Sequence, residues 1–248
     1  RGAPVELTTV AVPTPVRGPG SPPTPVLVWV HGGGWQTGDR RQQIDDKVQW
    51  LTSLGWTVVS TNYRLSPEVT YPRHHDDVAA AVDWVLDRAD EIHLDPDRVV
   101  LAGHSAGAAT VAGVAANPRH LATVGRQRSE IACMITLDTE GYDVEAAAGA
   151  GRAVYLQAFG EDPAVWADAS AMRHIEAGAG IADALVVTRG TPARRAMAQR
   201  FVDELSAAEV PARLLDAGGL DHAQVNRVVG TDVDDVVTPA IGEFLGRC

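Results

Sequence analysis

The sequence predicts an α/β fold in which helices cover both faces of a mostly parallel sheet, and three observations support this. Short β-branched runs alternate with stretches of helical periodicity, which is the pattern of βαβ connections. The runs are apolar nearly throughout, as is typical of strands that are buried on both faces. The chain has 248 residues and is 45% hydrophobic, which is sufficient for a single globular domain over residues 1–248.

Seven runs have the composition of strands. The first, Glu6–Val12, precedes a Pro/Gly-rich loop and is expected to pair antiparallel at one edge of the sheet. The other six are short and are separated by helical patterns or turn-forming residues. They are Val26–Val30, Thr57–Asn62, Arg98–Ala102, Ile131–Leu137, Ala184–Thr188 and Ala212–Leu215.

Four of the intervening segments have apolar residues at helical spacing. In Asp76–Arg88, the side chains of Val78, Val82 and Val85 fall on one face, which we expect to pack against the sheet. The other predicted helices are Gln42–Leu54, Ala106–Asn117 and Thr191–Ala208. Residues 139–180 break the alternation because they contain no clear strand. Since open α/β sheets bind ligands at the carboxyl ends of their strands, we expect this insertion to form a lid or a pocket wall.

The charge of the chain excludes some classes of partner. A formal net charge of −11 arises from 32 acidic and 21 basic residues, and the basic residues are scattered along the sequence. Nucleic acids and anionic membrane surfaces require a concentrated positive field, so neither is an expected partner. No apolar run approaches the roughly 20 residues that cross a bilayer. We expect a small-molecule substrate; the sequence does not determine the oligomeric state.

The two cysteines predict the compartment. Cys133 lies in a strand-like run and Cys248 is the last residue, so we expect no stabilising cross-link between them. Low cysteine usage without a cross-link favours a reducing, cytoplasmic environment. Because residue 1 is Arg rather than Met, a signal peptide that precedes it would already be missing, and secretion is the alternative.

A G-x-S-x-G motif, residues 103–107, lies between a predicted strand and a predicted helix. A sharp turn at this junction forces the serine into a strained backbone conformation, and glycines two residues before and after it avoid a clash. The serine hydroxyl is thereby exposed at the sheet edge, close to the N–H groups of the helix N-terminus. The motif predicts Ser105 as a nucleophile. A glycine-rich turn with a capping serine is the alternative.

A second glycine-rich corner, H-G-G-G-W at residues 31–35, directly follows the predicted strand Val26–Val30. Consecutive glycines let the backbone approach a ligand closely and turn N–H groups toward it, as an oxyanion hole requires. A flexible turn would explain this run by itself. Two such corners at the ends of neighbouring strands favour one shared site.

Four motifs together resemble the hormone-sensitive-lipase-like carboxylesterases and the related arylformamidases. They are H-G-G-G-W at 31–35, N-Y-R-L-S-P at 62–67, Y-P-R-H-H-D-D-V-A-A-A-V-D-W-V at 71–85 and G-H-S-A-G at 103–107. The resemblance is strong over residues 26–120 and continues mainly through strand order. It implies the α/β-hydrolase fold with an eight-stranded sheet, no cofactor, and hydrolysis of esters or activated amides through an acyl-enzyme.

The same resemblance implies roles for individual residues. The N–H groups of Gly33, Gly34 and Ala106 would form the oxyanion hole. Arg64 and Asp77 would be structural. No metal site is assigned.

The general base is expected shortly after the last predicted strand. In the Ser, acid, His order of these hydrolases, a loop at that place returns to the serine, and Leu220, Asp221 and His222 occupy it. The seven other histidines lie in the glycine motifs, on predicted helices or in linkers. We predict His222 as the base. A surface histidine is the alternative, because an imidazole pKa near neutrality suits both roles.

The acid departs from the family pattern. Such families usually carry an Asp in a G-x-x-D turn after the strand Ala184–Thr188, but this chain has Ala193 there. Asp138 directly follows Ile131–Leu137, and some lipases that resemble this fold place their acid at that strand end. We predict Asp138 as the residue that orients His222 and stabilises its imidazolium form. An Asp that bonds its own backbone at a loop start is the alternative. Further candidates are Glu140, Asp143 and Asp162.

These residues predict a carboxylesterase-type serine hydrolase that cleaves a small carboxylic ester through an acyl-enzyme. The negative net charge and the short insertion favour a neutral ester over an interfacial triglyceride. An arylformamidase or another amidase would use the same residues. A non-catalytic ligand-binding homologue is the second alternative, because Ala193 replaces the usual acid. An acyltransferase, with an alcohol as acceptor in place of water, is the third.

Overall fold

The computed structural model describes residues 7–11, 20–233 and 236–248. Its strands are β1 Leu7–Ala11, β2 Thr24–Val30, β3 Thr57–Thr61, β4 Leu94–His104, β5 Cys133–Leu137, β6 Asp183–Thr188 and β7 Ala212–Asp216. They form one sheet in the order β1-β3-β2-β4-β5-β6-β7. Strands β2 to β7 are parallel, and β1 pairs antiparallel with β3. All seven predicted runs therefore contain strands; Glu6 and Val12 of the first lie outside the described residues.

The expectation of eight strands is wrong for the described part of the chain, whose sheet has seven. Seven is also the number of β-branched runs in the sequence, and the eighth strand was implied by the family resemblance alone. Residues 139–180 add no strand, because they fold into short helices. What remains of the expectation is a mostly parallel sheet, with six parallel strands and one antiparallel edge, covered by helices on both faces.

Helices pack on both faces of the sheet. Their bounds are α1 Asp45–Ser53, α2 Arg73–Asp87, α3 Ala106–Ala116, α4 Pro118–Ala122, α5 Val144–Gly149, α6 Ala153–Phe159, α7 Pro163–Ala169, α8 Pro192–Ala207, α9 His222–Arg227 and α10 Val237–Leu245. The four predicted helices match α1, α2, α3 and α8 to within a few residues at each end. Short 3₁₀ turns cover Arg128–Glu130 and Ala171–His174. No helix in the described residues has both the length and the apolar character needed to cross a bilayer.

Alternate residues of β2 enter two different cores, because successive side chains of a strand point to opposite faces. Val26, Val28 and Val30 pack in a core that includes residues of α2, α3 and α8. Leu27 and Trp29 pack in a second core with residues of α1 and α10. All five are at most 4% exposed, and burying one such side chain contributes roughly 1.5–3 kcal/mol. Two buried faces explain why the run is apolar throughout.

The register between β4 and β5 fixes the position of the two residues that follow these strands. His104 pairs with Leu137, and Gly103 with Thr136. Because both strands run in the same direction, the next residues, Ser105 and Asp138, leave the sheet side by side at its carboxyl edge.

The insertion at 139–180 packs against the main core. Its aromatic residues Tyr155 and Phe159 are buried. Both meet Trp35 edge-on, with ring centroids 5.3 and 4.9 Å from the Trp35 ring. Such aromatic pairs contribute about 0.5–1.5 kcal/mol beyond their buried area. The insertion is therefore held against the glycine corner that begins at His31.

The two cysteines form a disulfide, so the expectation of no cross-link is wrong. Cys133 opens β5 and Cys248 follows α10, and their Cα atoms are 6.0 Å apart. A sequence separation of 115 residues hides this proximity, because β5 and the last helix meet only in the folded molecule. Closing a loop of this length restricts the unfolded chain, which stabilises the fold by about 2–5 kcal/mol.

Several histidines are buried without a full set of partners. His74, His75 and His120 are at most 1% exposed, and Nδ1 of both His74 and His75 has no hydrogen-bond partner. Burial lowers the pKa of His74 to about 4 and holds the pKa of His75 well below its usual value. These imidazoles are therefore neutral at neutral pH.

We expect the free energy of unfolding to fall as the pH is lowered from about 6.5 to 4. In the unfolded chain His74 takes up a proton near pH 6.5, whereas in the fold it stays neutral down to about pH 4. The unfolded state binds more protons in this window, so stability that is present above it is lost within it. For His74 the loss is roughly 3 kcal/mol, at about 1.4 kcal/mol per pH unit. Urea unfolding at pH 7, 6 and 5 measures this slope, and equal stability at all three would contradict it.

Candidate active site

Ser105 occupies the turn between β4 and α3 with φ +57° and ψ −119°, a strained conformation for a residue other than glycine. A Cβ at Gly107 would lie 2.3 Å from the carbonyl oxygen of Val30 and 2.4 Å from that of His31, so only glycine fits there. The N–H of Ser105 donates to the carbonyl of Leu137 at 2.9 Å. The turn is thus held by the two neighbouring strands, as the motif predicted.

The structure brings Ser105, His222 and Asp138 together. The Ser105 Oγ lies 2.9 Å from Nε2 of His222, and Nδ1 of His222 lies 2.6 Å from Oδ2 of Asp138. With a carboxylate beside it, Nδ1 carries the proton and donates, which leaves Nε2 as acceptor for the Ser105 hydroxyl. The Asp138 side chain is 1% exposed and that of His222 is 42% exposed. This arrangement can remove a proton from the serine hydroxyl as it attacks a carbonyl carbon.

A capping box fixes the backbone at His222, the first residue of α9. The Asp221 carboxylate accepts from the N–H of Gln224, and Oε1 of Gln224 accepts from the N–H of Asp221, both at 2.7 Å. These reciprocal bonds satisfy two N–H groups of the helix start. The backbone that carries the imidazole is thus fixed by Asp221 and Gln224.

Two arginines also hold Asp138, one at each carboxylate oxygen. Nε of Arg189 donates to Oδ2 at 2.6 Å, and Nη2 of Arg194 donates to Oδ1 at 2.8 Å. Burial opposes ionisation of Asp138, but hydrogen bonds from His222, Arg194 and Arg189 outweigh it and hold the pKa of this carboxyl well below its usual range. Asp138 is therefore a carboxylate at neutral pH.

The two arginines were not anticipated from the sequence. Both flank the turn in which Ala193 stands where the family pattern has its acid, since α8 begins at Pro192. The sequence signal was a turn with an arginine on each side, next to a strand that is followed by Asp138. From that pattern the contacts of the two arginines with Asp138 could have been predicted.

The other acid candidates lie in different contacts. Glu140 pairs with Arg152 at 3.1 Å and also with Arg194. Asp143 and Asp162 are N-caps whose carboxylates accept backbone N–H bonds at the start of α5 and α7. Of the four carboxylates, Asp138 is the one that contacts His222.

The glycine corner leaves N–H groups free beside Ser105. Gly33 and Gly34 have φ +112° and +62°, and the Gly33 carbonyl accepts from the N–H groups of Gln36 and Thr37, each at 3.1 Å. A Cβ at Gly33 would lie 2.0 Å from the Thr37 carbonyl oxygen, so a side chain is excluded. Within residues 20–233, the N–H groups of Gly33, Gly34 and Ala106 donate to no protein acceptor.

The motif at residues 62–67 supports this corner. The Tyr63 hydroxyl donates to the His31 carbonyl at 3.0 Å, and the two rings stack with centroids 4.4 Å apart. The next residue, Arg64, donates to both carboxylate oxygens of Asp77, at 2.7 Å through Nη2 and at 2.9 Å through Nε. This bidentate pair ties the motif to α2, in agreement with the structural role that the resemblance implied.

His104, the variable residue of the serine motif, contacts the predicted base. Its Nε2 donates to the backbone carbonyl of His222 at 2.8 Å, and the two rings lie 4.6 Å apart. Burial, together with the neighbouring His222, lowers the pKa of His104 to about 4. A neutral His104 thus connects the serine turn to the start of α9. Sequence reasoning assigned it no role.

Two cavities meet at Ser105 and His222. The larger, of about 290 Å³, is lined by neutral polar and apolar groups, among them Trp29, Thr37, Gln42, Gln43 and Asn226. The smaller, of about 130 Å³, is lined by charged residues and by α6 of the insertion, including Glu140, Arg152, Val154, Tyr155 and Arg194. No group of three His, Cys, Asp or Glu side chains in the described ranges is placed to hold a metal ion.

Comparison with known proteins gives a family match and a fold match. A family model described as BD-FAE matches residues 16–141, which are 126 of the 248 residues. The solved structure of the acetyl ester-xyloside bifunctional hydrolase from Caldicellulosiruptor lactoaceticus superposes on this chain with a TM-score of 0.76. It is 18% identical, over 96% of this chain and 87% of that structure. At this identity the likeness is one of fold.

Sequence relatives match over shorter stretches. The probable carboxylic ester hydrolase LipM of Mycobacterium tuberculosis is 43% identical over 83 residues, which are 34% of this chain and 19% of LipM. Arylacetamide deacetylase of Oryctolagus cuniculus is 41% identical over 93 residues, which are 36% of this chain and 23% of that protein. The matched segments therefore cover about a fifth of each of these two relatives.

Proposed function

This chain belongs to the BD-FAE family and has an α/β-hydrolase fold, and on that premise we propose that it is a carboxylesterase-type serine hydrolase. One observation carries the proposal. Ser105 has a strained backbone, and its hydroxyl oxygen lies 2.9 Å from Nε2 of His222. The other ring nitrogen of His222 lies 2.6 Å from the buried carboxylate of Asp138. Nucleophile, base and orienting acid in this chain of contacts are the requirements of acyl transfer through a covalent intermediate.

The reaction begins when Ser105 Oγ attacks the ester carbonyl carbon and its proton passes to Nε2 of His222. The carbonyl oxygen becomes an oxyanion, which accepts hydrogen bonds from the free N–H groups of Gly33, Gly34 and Ala106. The tetrahedral intermediate collapses, the C–O bond to the alcohol breaks, and His222 returns the proton to the leaving oxygen. Water then attacks the acyl-enzyme by the same steps, which releases the carboxylic acid and restores Ser105.

The cavities support a small substrate. Volumes of about 290 and 130 Å³ on the two sides of Ser105 accommodate the two halves of a small ester. We propose that residues 139–180 act as a wall of the smaller cavity, because Arg152, Val154 and Tyr155 line it. No cofactor or metal takes part in the proposed mechanism.

An amidase is the second candidate, and the relative named arylacetamide deacetylase favours it. The same residues would serve, because His222 can protonate an amine leaving group as it does an alkoxide. The argument for a non-catalytic homologue was that Ala193 replaces the usual acid. Asp138 weakens this argument, because its carboxylate lies 2.6 Å from His222.

The deciding experiment is a substrate panel with the wild-type chain. We expect hydrolysis of p-nitrophenyl acetate and butyrate, slower hydrolysis of the octanoate, and labelling of Ser105 by a fluorophosphonate probe. A higher kcat/KM for the matching p-nitroanilides would favour the amidase, and ester products in the presence of methanol would favour an acyltransferase. No turnover and no labelling would overturn the proposal and leave the ligand-binding homologue.

We propose further that the chain works in an oxidising compartment, in place of the cytoplasm expected from cysteine usage. The disulfide between Cys133 and Cys248 supports this, because such bonds persist chiefly in oxidising environments. Chain isolated from its native host and denatured without reductant should contain no free thiol. Two titratable thiols would contradict the proposal.

A further inference from the structure

An ion-pair network with more positive than negative charge borders the smaller cavity. Three guanidinium groups, those of Arg152, Arg189 and Arg194, lie in one network with two carboxylates, those of Asp138 and Glu140. Each carboxylate is shared: Asp138 serves Arg189 and Arg194, and Glu140 serves Arg194 and Arg152. One positive charge in this network therefore has no carboxylate of its own. Arg152 and Arg194 line the cavity together with both carboxylates, whereas Arg189 lies outside its lining.

The excess charge is most accessible at Arg152. Its side chain is 42% exposed, whereas those of Arg189 and Arg194 are 20% and 18% exposed. Among the described residues Arg152 makes one ion pair, in which its Nη2 lies 3.1 Å from Glu140, and its guanidinium lies 5.0 Å from the centroid of the Tyr155 ring. Arg152 and Ser105 line the same cavity. A substrate group that enters beside Ser105 thus meets a guanidinium with donors to spare.

Resting on the proposed esterase function, we propose that the smaller cavity selects an ester that carries a carboxylate, which pairs with Arg152. A volume of about 130 Å³ holds roughly four groups of the size of water, which suits a chain of two carbons that ends in a carboxylate. The expectation of a neutral substrate followed from the net charge of −11. The ion-pair network that borders this cavity has the opposite sign, and short-range pairing depends on the charges nearby.

The test uses two pairs of esters that differ in one group. For a carboxylate on the acyl side, monoethyl succinate is compared with ethyl 4-methylpentanoate, in which an isopropyl group replaces the carboxylate. For a carboxylate on the alcohol side, 3-acetoxypropanoate is compared with 3-methylbutyl acetate. The quantity measured by pH-stat titration is the ratio of kcat/KM for the charged ester to that for its neutral partner. The pair whose ratio depends on Arg152 identifies the half of the ester that occupies the smaller cavity.

Substitutions in the ion-pair network test whether the kcat/KM ratio depends on Arg152. We expect Arg152→Ala to lower the ratio about fivefold in one pair, the effect of losing one partly exposed ion pair, and Arg152→Lys to retain most of it. Glu140→Gln should raise the ratio, because it removes a carboxylate that competes with the substrate. Arg173→Ala is the matched control, since Arg173 is exposed and pairs with Glu145 away from both cavities. It should leave the ratio within twofold.

Salt supplies a measurement that needs no variant. In the wild-type chain, raising NaCl from 0.05 to 0.5 M should lower the ratio in the responsive pair, because added ions screen an exposed charge pair. Ratios that neither Arg152→Ala nor salt changes would overturn this inference, while hydrolysis of the neutral esters would leave the esterase function intact. If the wild-type chain hydrolyses neither these four esters nor p-nitrophenyl acetate, the proposed function itself fails.

Discussion

Ser105→Ala is expected to lower kcat for ester hydrolysis by roughly 10⁶-fold, as removal of a catalytic serine does when base and acid remain in place. Without Oγ no acyl-enzyme can form, and His222 has no nucleophile to deprotonate. Residual turnover over water would come from the oxyanion hole alone, since the N–H groups of Gly33 and Gly34 remain. Stopped-flow assays with p-nitrophenyl acetate measure the loss and also reveal the burst of p-nitrophenol that only the wild-type chain should give.

Stability and additivity provide the controls for this variant. Alanine adopts the backbone of the turn as readily as serine, so the melting temperature should change by no more than a few degrees. The double variant with His222→Ala should be no slower than Ser105→Ala alone, because residues that act as a unit are strongly non-additive. A burst of p-nitrophenol from Ser105→Ala would mean that another residue is the nucleophile.

Asp138→Asn is expected to lower kcat by about 10⁴-fold. The Asn side chain no longer holds Nδ1 of His222 as a donor, so the imidazole adopts the wrong tautomer and its protonated form loses a charge partner. The same change leaves Arg189 and Arg194 without the carboxylate that accepts from both, which should also lower the free energy of unfolding by roughly 3 kcal/mol. The pH-rate profile and urea unfolding measure the two effects separately.

The matched control is Asp143→Asn, which removes a neighbouring carboxylate. Asp143 caps α5 and lies 3.8 Å from Arg200, away from His222, so it should cost at most about 1 kcal/mol in stability and less than tenfold in kcat. If Asp138→Asn were as active as the wild-type chain, the acid would be misassigned, although Ser105 and His222 would still stand as nucleophile and base.

Local patterns were sufficient for most of the fold. Strands such as β2 and helices such as α2 are predicted by the spacing of apolar residues within the element itself, and their observed ends fall close to the predicted ones. The disulfide was missed because it depends on contact between β5 and residues beyond α10, which no local pattern contains. The eighth strand was expected from the family resemblance alone, since the sequence itself has only seven runs with the composition of strands.

The site was predictable where a motif forces a geometry. The turn at Ser105 requires its two glycines, and strand order carries His222 back to it over 117 residues. Asp138 could be proposed because it follows a strand next to β4. The contacts of Arg189 and His104 could not, because they depend on side-chain directions that only the packed structure determines.

The pairing of His104 with Leu137 makes strands β4 and β5 less tolerant of length changes than the loop that follows β6. One ladder of backbone hydrogen bonds sets the spacing of serine and acid, so a single-residue insertion in β4 or β5 would turn every later side chain to the other face and separate the two groups. The loop after β6 has no reacting group to position, although it carries Arg189, which donates to Asp138. Evolution and protein engineering can therefore lengthen that loop after Arg189 with serine, imidazole and acid left in place, and of the contacts to Asp138 lose only the one from Arg194.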